Sequence, residues 1–337
     1  MACVSKIRPP APTPRVDSLR PVISLAARPL WRENLAWLEL ASLWSERGQL
    51  RKSRAHSPKS VLLIPGFMTG DRHMAMMNNW LLRTGHATEC AGIRFNVDCS
   101  EASVSRIEQR LSQFAAARRQ RVVLVGHSRG GLFARVLAVR RPDLVESIVT
   151  LGSPHRDPMQ VHPLLWLHGV ALTALGSLGV RGLVRHSCRS GACCAAFRRD
   201  LHGPFPAGVQ FVSVYSRKDG VVDWRACLDD AADGVEIEST HCGMGVNPST
   251  YRILGELLNG VDTRPSPSSG DRQRQAVLSR RLPDQSTARD VIRPPLASSR
   301  VTGRRLVRAG CGGENRFARK RVGRATHGKE GKCYWHL

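Results

Sequence analysis

Hydrophobic positions along this chain follow two rhythms. Short unbroken apolar runs at Val61 to Ile64, Val122 to Val125, Ser147 to Leu151 and Val209 to Tyr215 have the length and β-branched content of buried strands. Ile93 to Val97 and Val235 to Glu238 are weaker runs of the same kind. Between them the period lengthens. Val104, Ile107, Leu111 and Phe114 recur at steps of 3, 4 and 3, which predicts an amphipathic helix over 101–119. Further helices are predicted over 71–83, with Met74, Met77 and Leu81 on one side, and over about 129–140. Asn247 and Pro248 have the residue types of an N-cap and a first helical position, so a final helix starts there. Alternation of this kind predicts an α/β architecture: a mostly parallel central sheet of about six strands with helices on both faces.

Two segments depart from the alternation. Residues 155–205 are too long for a simple crossover between the fourth and fifth strands, and they predict a helical cap insertion. Pro163 to Val180 within it is mostly apolar and reaches the lower limit of a membrane span, but Gly169, Gly176 and Gly179 interrupt it. Leu30 to Trp44 is apolar on one helical face, with Trp31, Leu35, Leu38 and Trp44 as expected anchors against the domain. The chain thus divides into an N-terminal extension (1–58), an α/β domain (59–260) and a tail (261–337).

Charge sharpens the picture of the ends. The 337 residues carry a net +24, which by itself suggests a polyanion partner. The tail holds 18 Lys+Arg against 6 Asp+Glu, half of that excess, with only 13 Ile, Leu, Val or Phe. That apolar content is too low for a packed core, so the tail is read as disordered. The α/β segment carries only +6 without a concentrated basic run, so no specific nucleic-acid partner is expected. The N-terminus lacks an apolar run followed by a small-residue cleavage site, which points to a cytoplasmic protein. The apolar cap leaves peripheral membrane contact open. The ten cysteines show no zinc-like spacing, and the twelve histidines no paired ligand motif. Local disulfides Cys90–Cys99 and Cys227–Cys242 compete with reduced thiols. No cofactor and no metal are expected.

The candidate chemistry begins at Gly126–His127–Ser128–Arg129–Gly130, which follows a strand and opens a helix. This is the G-x-S-x-G turn that presents a serine nucleophile on a sharp corner. The flanking glycines are there because a side chain would clash with so tight a turn. Serine needs a base, and the base needs an orienting carboxylate, in the chain order Ser, Asp/Glu, His for this turn. Asp219 follows the strand ending at Tyr215, and His241 follows the strand ending at Glu238, in that order. Asp223 competes with Asp219, which lies nearer its strand end. The oxyanion donors are expected to be the backbone N–H groups of Arg129 and of Phe67, with Met68 in reserve for Phe67. Met68, Leu164 and Trp166 are candidates to line an acyl pocket.

The segments IPGFMTGD (64–71), VVLVGHSRGG (122–131), TLGSPHRDP (150–158), YSRKDGVVDW (215–224) and STHCGMGVNP (239–248) resemble the α/β-hydrolase superfamily, in its bacterial lipase and carboxylesterase type. The resemblance covers about 59–260 and leaves the tail without a counterpart. It implies a reduced form of the fold, because about six strands are visible where the family has eight. It also implies a serine hydrolase of carboxylic esters, of lipophilic acyl type, acting on a small-molecule ester or lipid through an acyl-enzyme. Acyl transfer or thioester cleavage would use the same residues. From another class, a polyanion-binding protein on a hydrolase scaffold would rest on the basic tail. Pro65–Gly66 stands where many relatives have His–Gly.

Overall fold

The computed structural model describes residues 30–50 and 57–260. The irregular N-terminal stretch and the basic tail read from the sequence lie outside them. Six strands form one sheet: β1 (Ser60–Ile64), β2 (Ala87–Cys90), β3 (Val122–His127), β4 (Val145–Leu151), β5 (Gln210–Tyr215) and β6 (Asp233–Glu236). Their order is β2-β1-β3-β4-β5-β6, and every neighbouring pair is parallel.

The unbroken apolar runs follow from burial on both faces of this sheet. Leu62, Ile64, Leu124 and Ile148 point into one core, while Val61, Leu63, Val123 and Val149 point into the other. The first core is closed by α3 (Ser100–Arg118), α4 (Arg129–Arg140) and α7 (Ala195–Leu201), through Val104, Ile107, Phe133 and Phe197. The second is closed by α1 (Ala36–Leu50), α2 (Ala75–Thr84) and α8 (Pro248–Leu258), through Leu43, Met77, Trp80 and Tyr251. Each large side chain buried this way contributes about 1.5–3 kcal/mol. α8 begins as its sequence indicates: Asn247 Oδ1 accepts the Ser249 N–H at 2.9 Å, and Pro248 follows the cap.

Three expectations are corrected. The second strand is Ala87–Cys90 rather than Ile93–Val97. Residues 93–97 instead form a loop paired with the loop after β1: Asp71 N donates to Ile93 O at 2.9 Å, Asn96 N to Thr69 O at 2.8 Å, and Met68 N to Asn96 O at 3.2 Å. The N-terminal helix is anchored by buried Leu43 and Leu50, whereas Trp31, Leu38 and Trp44 are exposed. Leu35 is half-buried. Finally, Cys99, Cys227 and Cys242 are free thiols, so neither local disulfide forms.

The insertion between β4 and β5 holds α5 (Pro163–Ser177), α6 (His186–Ser190) and α7. It is pinned at several points. His162 N donates to Val221 O at 2.7 Å, Asp223 N to Gln160 O at 3.1 Å, and Val184 N to Val97 O at 2.8 Å. Arg140 on α4 pairs with both Glu101 on α3 and Asp200 on α7. No described helix is long and apolar enough to cross a membrane.

Candidate active site

The site is built beyond the carboxyl ends of three strands of the parallel sheet, β3, β5 and β6, with β4 between the first two. β3 delivers Ser128, β5 delivers Asp219 through the turn after Tyr215, and β6 delivers His241. Carboxyl ends of parallel strands are where such sheets hold their sites.

Ser128 sits at φ 52° and ψ −120°, a conformation that costs an L-residue about 1–3 kcal/mol. The surroundings enforce it: Ser128 N donates to Leu151 O at 2.7 Å, and Gly131 N returns to Ser128 O at 3.0 Å. The glycines have a measurable reason. A Cβ on Gly126 would lie 2.5 Å from the Gly130 carbonyl, and one on Gly130 would lie 2.3 Å from Ile64 O. The elbow is therefore packed directly against the end of β1.

His241 Nδ1 and Asp219 Oδ2 are 2.7 Å apart, with both side chains almost fully buried. Asp219 Oδ1 accepts the N–H groups of Val221 and Val222 at 2.8 and 2.7 Å, which fixes the carboxylate plane. Asp223 faces elsewhere: its Oδ1 accepts Arg225 N at 3.0 Å and caps a short turn. With Nδ1 bonded to Asp219, the Nε2 of His241 is left for a proton acceptor's task. Among the described residues no hydrogen bond joins Ser128 to His241. Such catalytic contacts are often long in a free enzyme and tighten around substrate. Burial alone would push the His241 pKa down. The Asp219 charge and hydrogen bond, with the Glu33 charge, outweigh it and raise the value above 6.5.

Two more histidines pack in series beside His241, with their rings tilted to one another. His127 lies 4.9 Å from His241 and 5.1 Å from His73, centroid to centroid. Its Nε2–H donates to the His241 backbone carbonyl at 3.0 Å. Burial, and then the neighbouring imidazoles, hold its pKa well below the usual histidine value, so it stays neutral.

The sequence-expected oxyanion donors lie on facing segments. Arg129 N opens α4, and Phe67 follows the end of β1. The Met68 N–H is engaged by Asn96 O, whereas Phe67 N–H has no hydrogen-bond acceptor among the described residues. Asn96 ties the two segments together. Its Nδ2 donates to Pro65 O at 2.9 Å, and its Oδ1 accepts Arg129 Nη1 at 2.9 Å. Met68 is half-buried beside this loop. Leu164 and Trp166 sit at the start of α5 and are 47% and 43% exposed, one turn from the His162–Val221 contact with the Asp219 loop.

Sequence reasoning missed the contribution of the N-terminal segment. Glu33 bridges the two acid/base loops: Gly220 N and Cys242 N donate to its carboxylate at 3.0 and 2.9 Å. Glu39 accepts Ser239 Oγ at 2.5 Å, Thr240 N at 2.8 Å, Thr240 Oγ1 at 2.9 Å and Asn247 Nδ2 at 2.7 Å. Both hold the loop that carries His241. Their one sequence signal is that two acids occur in an otherwise apolar stretch.

Residues 98–165, which include the elbow, match a family described as the PGAP1-like alpha/beta domain. A triacylglycerol lipase of Pseudarthrobacter phenanthrenivorans is 50% identical over 42 residues, 12% of this chain and 13% of the relative. A triacylglycerol lipase of Burkholderia plantarii is 50% identical over 42 residues, 12% of each. The chain thus spans about an eighth of the curated relatives it matches. Among solved structures, the mature form of the Bacillus licheniformis lipase BlEst2 is 13% identical, with a TM-score of 0.47 over 60% of this chain and 95% of that one. Carboxylesterase CesB of Bacillus subtilis is 12% identical, with a TM-score of 0.40 over 66% and 99%. A six-stranded parallel sheet with a serine elbow is thus similar over residues 98–165 to the PGAP1-like alpha/beta domain, and over a short segment to triacylglycerol lipases.

Proposed function

We propose that the chain is a serine hydrolase of lipophilic carboxylic esters. The observation that carries this reading is the buried 2.7 Å His241–Asp219 contact beside a strained serine elbow. In the reaction His241 Nε2 takes the Ser128 hydroxyl proton as Oγ bonds to the acyl carbon. The carbonyl oxygen gains the negative charge and is held by the N–H groups of Phe67 and Arg129. As the tetrahedral intermediate collapses, the ester C–O bond breaks and His241 protonates the leaving alcohol. Water then repeats the sequence on the acyl-enzyme and releases the acid, restoring Ser128. Asp219 holds the tautomer in which Nδ1 carries hydrogen, and stabilises the imidazolium.

The apolar exposed side chains of α5, Leu164, Trp166 and Leu167, stand beside the Asp219 loop and support a lipophilic acyl group over a small polar one. A p-nitrophenyl ester series from acetate to palmitate, run on the full chain and on Ser128→Ala, tests the reading. Hydrolysis should rise beyond the shortest esters and vanish in the variant. Equal turnover by Ser128→Ala would refute it.

A further inference from the structure

Away from the triad, the fold gathers Cys99, Cys188, Cys193 and Cys194 so that all four Sγ atoms lie within 4.8 Å of one another. Cys99 and Cys194 are 3.4 Å apart at sulfur, and Cys193 and Cys194 are 3.9 Å apart. All four are free thiols. A disulfide brings sulfurs to about 2.05 Å. Four thiolates at about 2.3 Å from a central zinc ion stand about 3.8 Å apart along the edges of a tetrahedron. The observed separations match the second arrangement.

We propose that these four cysteines bind one zinc ion in a closed, structural site. Its place in the fold gives it a purpose. Cys99 lies at the N-terminus of α3, while Cys188, Cys193 and Cys194 lie in the insertion, up to 95 residues away in sequence. A bound ion therefore staples the insertion to the sheet domain. The surroundings suit metal thiolates. Cys99 is the N-cap residue of α3, whose first backbone N–H groups have no partner within the helix. Such outer donors orient ligands and spread their charge. Arg198 holds the ligand loop by donating to Cys188 O at 3.1 Å and Gly191 O at 2.8 Å. Four thiolates around Zn²⁺ carry a net double negative charge. The Arg129 guanidinium donates to Asp98 O at 2.6 Å and Ser100 Oγ at 2.9 Å, on either side of Cys99, and so brings a positive charge near the cluster. Arg129 is also the residue after Ser128 in the elbow, so the staple reaches the nucleophile's side of the site.

The full untagged chain, purified under reducing conditions from zinc-supplemented cells, tests this by elemental analysis. About one zinc per chain is expected, and cobalt substitution should give the charge-transfer and visible bands of tetrahedral cobalt thiolate. Cys193→Ser and Cys194→Ala should lose the metal, while Cys242→Ser keeps it. If a cluster variant does not fold, stoichiometry and cobalt spectrum of the unaltered chain still decide. Reduced chain that takes up neither zinc nor cobalt would overturn the proposal. So would iron as the bound metal, or disulfides mapped among these four positions in the folded protein.

Discussion

Replacing Glu39 with alanine isolates what the N-terminal helix gives the site. Four donors from the His241 loop converge on this carboxylate at 2.5–2.9 Å. Hydrogen bonds to a charged group contribute about 1.5–3 kcal/mol each, a ceiling of about 6–12 kcal/mol for the set. Glu39 is half-buried, so water fills part of the space its side chain leaves, although Ser239, Thr240 and Asn247 are themselves buried. Bonds sharing one acceptor group also overlap in energy. A net loss of about 2–4 kcal/mol in unfolding free energy is the result. The loop then loses its fixed position, and a displacement of about 1 Å at His241 lowers kcat/KM by about 100-fold. Urea unfolding followed by tryptophan fluorescence gives the first number, and p-nitrophenyl butyrate hydrolysis the second. Glu46→Ala is the matched control, because among the described residues Glu46 on the same helix pairs only with Arg252. It should cost less than about 1 kcal/mol and leave activity intact. If Glu39→Ala proves as mild as Glu46→Ala by both measures, the N-terminal segment does not position the site.

Other outcomes follow from the same geometry. Asp219→Asn should reduce kcat by about 10⁴-fold while the fold persists, because the amide favours the wrong His241 tautomer; activity within tenfold of the original would contradict the assigned role. His241 acts as a base only when neutral and its pKa is raised, so kcat/KM should fall on acidification through a midpoint above 6.5. Glu33→Gln removes one of the charges that raise it, so the midpoint should move to lower pH; an unmoved acid limb would show that Glu33 has no electrostatic effect there. Asn96→Ala cuts the link between the Pro65 carbonyl and Arg129, and should lower kcat by about 10–100-fold with KM nearly unchanged. A KM effect alone would place Asn96 in substrate binding instead.

The parts of the molecule legible in the sequence are those set by local rules. The elbow is readable because a tight strand-to-helix turn demands glycine within two residues of Ser128, and the distances at Gly126 and Gly130 bear out that steric reason. The buried strands are readable because both faces of a parallel sheet are covered. β2 was hidden for the opposite reason: it is an edge strand whose first three residues are half-buried, so its apolar signal is weak. Ile93 to Val97 has strand-like residues, but its backbone is satisfied by the loop at 68–71. The acids that hold the His241 loop were out of reach, since Glu33 lies 187 residues from Gly220 and Glu39 lies 201 from Thr240. The cysteine cluster is likewise assembled by the fold, from one residue before α3 and three in the insertion.

Fluorophosphonate labelling of the folded full-length chain, mapped by peptide mass spectrometry, tests the central claim most directly. The account predicts a single adduct on Ser128 that is lost in Ser128→Ala and after denaturation. A folded chain that resists the probe, or carries the adduct on another serine, would contradict it.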